Sequence, residues 1–190
     1  TSLGEFEHAD EVEVIWRAFE LDPGAPTDSV ADLATPDYLK LLANQTPWSQ
    51  AVMARFTHFQ RLTLRILVDQ THGVGGALAC VRFVPDPRRR KALVEWLSTI
   101  ALPKAIQRPG MLGASAGEND LEIAHAPLHD KSMDHPRAEE AEWAVLLEGA
   151  DVPAVSAAAR LMFTATKLRP FGVETAPTVG TYRLLFGNQR

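Results

Sequence analysis

Two junctions at which a strand passes into a helix constrain this chain more than any other feature. In "ALACVRFVPDP", residues 77–85 have the composition of a strand, and Asp86 followed by Pro87 is a favoured N-cap and first position of a helix. In "EWAVLLEGADVP", residues 142–150 predict a strand, and Asp151 is the N-cap of a helix with Pro153 in its first turn. This half of the chain therefore predicts a mixed α and β domain.

The order of elements after residue 76 predicts a particular supersecondary unit. The helix after Asp86 has its apolar stripe at Leu93, Trp96, Leu97 and Ile100, is bent or restarted by Pro103, and is closed by "RPG". The other predicted elements are a strand at 111–118, a polar loop at 119–141 with a short helix near 137–141, a helix at 151–168 and a strand at 178–187. Strand, helix, strand, strand, helix, strand is the split βαβ, or ferredoxin-like, order.

The first part of the chain repeats only the latter portion of this unit. Residues 11–22 predict a strand, 22–37 an irregular connection, and a helix begins at Thr35 or Asp37. A further helical turn follows Pro47, and from Phe59 apolar residues alternate in a strand, with Leu62, Leu64 and Ile66 on one face. "TLRIL" at 63–67 matches "TYRLL" at 181–185, which indicates an internal duplication. We therefore predict a partial first repeat at 1–72 and a second ferredoxin-like repeat at 77–190.

Two segments resemble a known superfamily. The run "WLSTIALPKAIQRPGMLGA", 96–114, resembles the first helix and following strand of the dimeric α/β-barrel superfamily, and residues 29–61 look like the corresponding region of uncharacterised two-repeat members. The resemblance implies tandem ferredoxin-like repeats whose antiparallel sheets face each other as an α/β barrel. Its members include cofactor-free monooxygenases, ring-forming and isomerising enzymes, haem-linked enzymes and proteins with no known activity. This chain departs from the pattern because its first repeat is incomplete.

The physical basis of such a barrel is the uncovered face of each sheet. A four-stranded antiparallel sheet with two helices on one side leaves its other side bare, and a second sheet covers it. With one repeat incomplete, we expect a second chain to contribute, which predicts a homodimer. The space between the sheets is then the expected ligand pocket.

Candidate functional residues cluster around the predicted strands. His58 lies where a helix passes into a strand, beside Phe59, and is the candidate acid–base group; the alternative is a histidine that caps a backbone carbonyl. The substrate-binding candidates are Trp48, Phe59, Tyr182, Arg65 and Arg183. Trp48 is otherwise a core residue. The two arginines, which match in the duplication, are anion anchors or strand-edge salt-bridge partners.

Several other classes of function are disfavoured. A net charge of −5 argues against a general nucleic-acid surface, and no stretch approaches the ~20 apolar residues of a membrane span. "GVGG" at 73–76 leads into a strand rather than a helix, so we expect no nucleotide site. Pro127 separates His125 from His129, which favours a solvated loop over a metal site. The remaining side chains of that loop with ligand character are Asp130, Asp134 and His135.

Two further patterns concern a basic run and the single cysteine. "RRRK" at 88–91 predicts a solvated helix face, with an anion or partner patch as the alternative. The single cysteine, Cys80, cannot form an internal disulfide, and together with the absence of a signal-peptide pattern it predicts a cytoplasmic protein.

Three hypotheses of function follow. The first is a small-molecule-binding protein, of the cofactor-free oxygenase or isomerase type, acting on an apolar or aromatic substrate between the sheets with His58 as acid–base group. The second is a non-catalytic dimeric binding or assembly module whose barrel is filled by side chains. The third, a metal protein that uses the histidine loop, has the least support from ligand spacing.

Overall fold

The computed structural model describes residues 44, 46–47, 50–51, 62, 64–121 and 142–184. The chain divides into two compact units, one of residues 1–62 with 122–137 and the other of residues 63–121 with 138–190. In the first unit, Pro47 and Gln50 are helical and the Gln50 N–H donates to the Thr46 carbonyl at 3.0 Å, which agrees with the helical turn predicted after Pro47.

The second unit contains a five-stranded antiparallel sheet. Its strands are β1 (Leu64–Asp69), β2 (Ala77–Phe83), β3 (Met111–Asn119), β4 (Trp143–Gly149) and β5 (Thr178–Arg183). Their lateral order is β1-β3-β4-β2-β5, and every neighbouring pair is antiparallel. With the helices described next, this makes the protein an α+β fold.

The connection from β2 to β3 is helical throughout most of its length. It consists of a 3₁₀ turn (Pro87–Arg89), α1 (Arg90–Trp96), a π turn (Leu97–Ala101) and α2 (Leu102–Ile106). The Asp86 carboxylate caps its start by accepting the Arg88 N–H at 2.9 Å, as predicted. Asp151 likewise caps α3 (Val152–Met162) by accepting the Ala154 N–H at 2.8 Å.

The π turn is explained by Pro103. A proline inside a helix lacks the N–H for the usual bond, and its ring crowds the carbonyl of the residue four positions earlier, here Thr99. In the structure the Leu102 N–H donates to the carbonyl of Leu97, five residues back, so the helix is wider at this point. The prediction that Pro103 bends or restarts the helix is confirmed, since α2 begins immediately before it.

The helix predicted over 151–168 is divided in two. α3 ends at Met162, and α4 (Ala165–Leu168) begins after Thr164, whose hydroxyl accepts the Lys167 N–H at 3.3 Å. Thr164 therefore acts as a new N-cap. A 3₁₀ turn (Arg169–Phe171) follows, and Gly172 ends it with a φ of 77°, a left-handed conformation that favours glycine.

One face of the sheet, which we call the helix face, is packed against these helices. Alternate residues of the central strands point to it and are buried, and α1, α2 and α3 supply Leu93, Leu102, Val155 and Ala158, each 0% exposed. The sheet residues of this core are Val68, Ala77, Ala79, Val81, Phe83, Met111, Ala114, Ala116, Trp143, Val145 and Leu147. Small residues on the strands let the helices approach closely, which gives one continuous core.

The strand β1 departs from simple alternation. Its pairing with β3 shifts register between Ile66 and Val68, so Ile66 lies opposite Gly117 and Val68 opposite Ala116. Leu67 is the extra residue of this irregularity, and Val68 joins the core while Ile66 is 48% exposed. Leu64 and Ile66 share one face, as the alternation predicts, but Val68, beyond the irregularity, is the residue that enters the core. β1 lies beside β3 in the same sheet as the strands of the second repeat.

Candidate functional site

The opposite side of the sheet, which we call the reverse face, carries the other half of each central strand. The register places Leu78, Cys80 and Arg82 of β2 opposite Glu148, Leu146 and Ala144 of β4. On the two flanking strands the same face includes Ser115 and Gly117 of β3 and Gly180 and Tyr182 of β5. Side chains of this face combine apolar groups with a carboxylate, a guanidinium, a thiol and a phenol.

A buried carboxylate lies at one end of the reverse face. Glu148 is 5% exposed, and its Oε2 accepts the buried backbone N–H of Gly75 at 2.9 Å. A Cβ on Gly75 would collide with the backbone of Gly149, so only glycine permits this approach. The glycine-rich segment at 73–76 is thus fitted closely against β4.

Residues 70–76, which connect β1 to β2 and are called the connector below, cover the reverse face beside Glu148. A Cβ added to Gly113, which pairs with Glu148, would lie 2.7 Å from the Cα of Thr71. The Gln70 N–H donates to the Ala114 carbonyl at 2.9 Å, which continues the β1–β3 pairing into the connector. The segment after β1 therefore closes this end of the face, and the position of the Glu148 carboxylate is fixed by it.

The other end of the reverse face carries Arg82. Its Nε lies 3.6 Å from Oε1 of Glu142, and both side chains are about a quarter exposed or less, 22% and 25%. Glu142 precedes β4, and its carbonyl accepts the Asn119 N–H at 2.8 Å. The guanidinium is therefore paired with a carboxylate across the sheet end.

Tyr182 is the predicted site residue that the structure places on the reverse face. It is half-buried and lies opposite Leu78. A Cβ added to Gly180 would collide with its hydroxyl and ring atoms, so the phenol lies along the strand over Gly180. Because Gly180 pairs with Cys80, the ring occupies the space that a side chain at position 180 would fill.

The two predicted arginines lie elsewhere. Arg65 is in β1, and its Nη2 donates to Oδ2 of Asp120 at 2.6 Å; the Asp120 side chain is 6% exposed. Arg183 is in β5, exposed, and opposite Ala77 on the helix-face side of the sheet. For Arg65 the geometry is the salt bridge that the sequence offered as one of two alternatives. β1 and β5 are the opposite edges of this sheet, so the sheet keeps the two arginines apart. Neither arginine lies on the same face of the sheet as Tyr182.

The remaining predicted site residues, His58, Trp48 and Phe59, lie outside the described residues, as do the histidines of the loop after residue 121. Within the described part of the chain, no group of three or more His, Cys, Asp and Glu side chains is arranged to hold a metal ion. No helix among the described residues combines the length and apolar character needed to cross a bilayer.

Sequence reasoning missed Glu148 and Arg82. The signal was present in both cases, because each is a charged residue inside an otherwise apolar strand, "AVLLEGA" and "ALACVRFV". A charged side chain at a buried position requires a partner, and such positions are frequent at functional sites. Comparison of the chain with protein-family models, curated proteins and solved structures finds no match.

Proposed function

We propose that this protein binds a small, largely apolar molecule on the reverse face, between this sheet and a second sheet, as in a dimeric α/β barrel. The observation that carries the proposal is the two-sided character of the sheet. The helix face is filled by aliphatic and aromatic side chains, whereas the reverse face has Leu78 and Leu146 half-buried among polar groups. A face of this composition suits a pocket of apolar lining with a few oriented polar groups.

The interpretation of residues 77–190 as a ferredoxin-like repeat is part of this proposal. From β2 onward the elements follow the order strand, helix, strand, strand, helix, strand, and the strands lie in the order β3-β4-β2-β5. We propose that a second copy of the chain supplies the facing sheet and that the protein is a cytoplasmic homodimer. Tandem repeats within one chain are the alternative source of that sheet.

The chemistry proposed for the protein is that of a cofactor-free oxygenase or isomerase, with His58 as its acid–base group. On the reverse face, the Tyr182 hydroxyl is the proposed hydrogen-bond donor for a carbonyl or hydroxyl of the ligand. The competing function is a non-catalytic dimeric module with a filled interior. What favours it is the Tyr182 ring, which lies down over Gly180 and takes up space on the reverse face.

The oligomeric state tests the proposed second sheet. Sedimentation velocity should give a dimer for the wild type and a monomer for Leu146→Lys, because a lysine on the reverse face would be buried without a partner. Leu112→Lys is the control, since Leu112 is 40% exposed at the start of β3. Circular dichroism establishes that both variants fold. A wild type that is monomeric at every concentration contradicts the homodimer.

The ligand and the chemistry are tested next. Native mass spectrometry of the purified protein identifies a co-purifying molecule, and turnover of that class of molecule is then measured for His58→Ala and Tyr182→Phe. Loss of turnover in His58→Ala, with ligand binding retained, supports the enzyme. Unchanged turnover ends the role of His58, and a filled interior with no ligand uptake supports the assembly module.

A further inference from the structure

A groove runs between two helical segments of the second unit. One segment is α1, the π turn and α2, and the other is the end of α3 with α4. The proposed function does not use this surface. The groove has a volume of about 320 Å³ and is lined by Trp96, Ile100, Lys104, Leu161, Met162 and Lys167. The first three residues follow one another at a spacing of four along α1, the π turn and α2, so they form a single stripe. The volume is at the lower end of the ~300–1,000 Å³ typical of small-molecule pockets.

The floor of the groove is apolar and firmly positioned. Trp96 packs edge-on against Phe163 with a centroid distance of 6.0 Å and against Phe171 at 5.1 Å, which fixes its ring. Ile100 and Leu161 are 41% and 47% exposed, so large aliphatic side chains from both helical segments face the same groove. Ile100 lies in the π turn that Pro103 imposes between α1 and α2.

Two ammonium groups accompany this apolar floor. Lys167 Nζ donates to the Leu161 carbonyl at 2.6 Å, which holds it beside the last turn of α3 with two N–H groups left over. Within residues 64–121 and 142–184, neither Lys104 nor Lys167 forms an ion pair with a carboxylate. The lining residues include no acidic side chain. The groove therefore complements a ligand with an apolar chain and a negative head group.

We propose that this groove binds a single-chain carboxylate amphiphile of the fatty-acid class, with the chain against Trp96 and Ile100 and the carboxylate between Lys104 and Lys167. A small amphiphilic anion is the occupant because the lining combines apolar side chains with two ammonium groups and no carboxylate, in a volume of about 320 Å³. The groove is separate from the reverse face, so this proposal can be tested independently of the function proposed above.

The first experiment measures binding of dodecanoate and of its bromine-labelled analogue, with tryptophan fluorescence as the readout. Bromine quenches an indole only at contact, so saturable quenching is expected in the wild type, and Trp96→Phe should lose it. Quenching that is equal in Trp96→Phe, or the absence of saturable binding, overturns the proposal.

The second experiment separates the chain from the head group. Leu161→Glu should weaken dodecanoate binding about tenfold or more by burying a carboxylate at the apolar floor. Its control, Leu112→Glu, has a similar exposure outside the groove and should bind as the wild type does. Lys104→Gln should weaken dodecanoate about fivefold while leaving dodecanol unaffected, because a charge pair at an exposed site contributes little. Lys91→Gln is the matched exposed control on α1.

Two outcomes of this second experiment overturn the proposal. One is equal weakening of dodecanoate by a groove variant and its control. The other is a change in sedimentation mass on Leu161→Glu, which would make the groove an interface between copies of the chain.

Discussion

Replacement of Glu148 by alanine should destabilise the fold far more than replacement by glutamine, which is the neutral isostere of glutamate. The buried N–H of Gly75 would lose its acceptor, which costs about 1–3 kcal/mol. The Cγ methylene of this 5%-exposed side chain would also be lost, at about 0.8 kcal/mol, so we expect a total of about 2–4 kcal/mol. Glu148→Gln keeps a carbonyl acceptor and exchanges a charge-assisted bond for a neutral one, for a loss of about 1 kcal/mol.

Urea unfolding followed by tryptophan fluorescence gives both free energies. A thermal scan should agree, at about 2–4 °C per kcal/mol for a chain of this size. Glu174→Ala, a carboxylate removed from an exposed position, is the control and should change the free energy of unfolding by less than about 0.5 kcal/mol. The reasoning is refuted if Glu148→Ala behaves like this control, or if the glutamine variant is as unstable as the alanine variant.

Three further predictions concern local features. Asp151→Ala should cost about 1 kcal/mol in urea unfolding because α3 loses its N-cap; no loss would mean that the cap is dispensable. Gly180→Ala should displace the Tyr182 ring, which changed ring resonances of Tyr182 in NMR spectra would reveal and unchanged ones would contradict. Hydrogen bonds from the Arg88 side chain and N–H lower the pKa of Asp86, so its carboxylate stabilises the fold above its unfolded-state pKa, and this contribution disappears as the pH falls through the folded-state pKa. Asp86→Asn should therefore lower the urea midpoint at neutral pH, with the difference from wild type closing in acid.

The elements most accurately predicted from the sequence are those with local, unambiguous signals. β2 and β4 are apolar runs bounded by Asp-Pro and Asp-x-Pro junctions, and their predicted bounds differ from the observed ones by two residues or fewer. Buried strands and helix N-caps depend on neighbouring residues alone, so a single sequence carries the information.

Features that depend on residues far apart in the sequence could not be predicted. The irregularity at Leu67 arises from the register of β1 on β3, a strand more than forty residues away along the chain. Alternation within β1 cannot reveal which residue is left out of that pairing, so it does not show that Val68 rather than Ile66 enters the core. The break at Thr164 is different, because a threonine followed by a helical turn is a local signal that the periodicity of residues 151–168 concealed.

The candidate site depends on distant contacts in the same way. The sequence proposes Tyr182 from its strand alone, whereas the buried contact of Glu148 forms only when the segment through Gly75 folds over it. For Arg65 the sequence offers an anion anchor or a salt bridge, and only the position of Asp120, 55 positions further along the chain, decides for the salt bridge.

The charges of the reverse face restrict what it can bind. Glu148 is held by the Gly75 N–H, and Arg82 lies within 3.6 Å of Glu142, so each ionised group already has a partner of suitable chemistry. A charged ligand would have to displace one of these partners and leave a buried or half-buried group unsatisfied, which is costly. A neutral ligand that hydrogen-bonds to Tyr182 displaces neither. On the two proposals made above, the reverse face would take uncharged molecules and the groove with Lys104 and Lys167 would take anions, so a ligand screen divided by charge should separate the two sites.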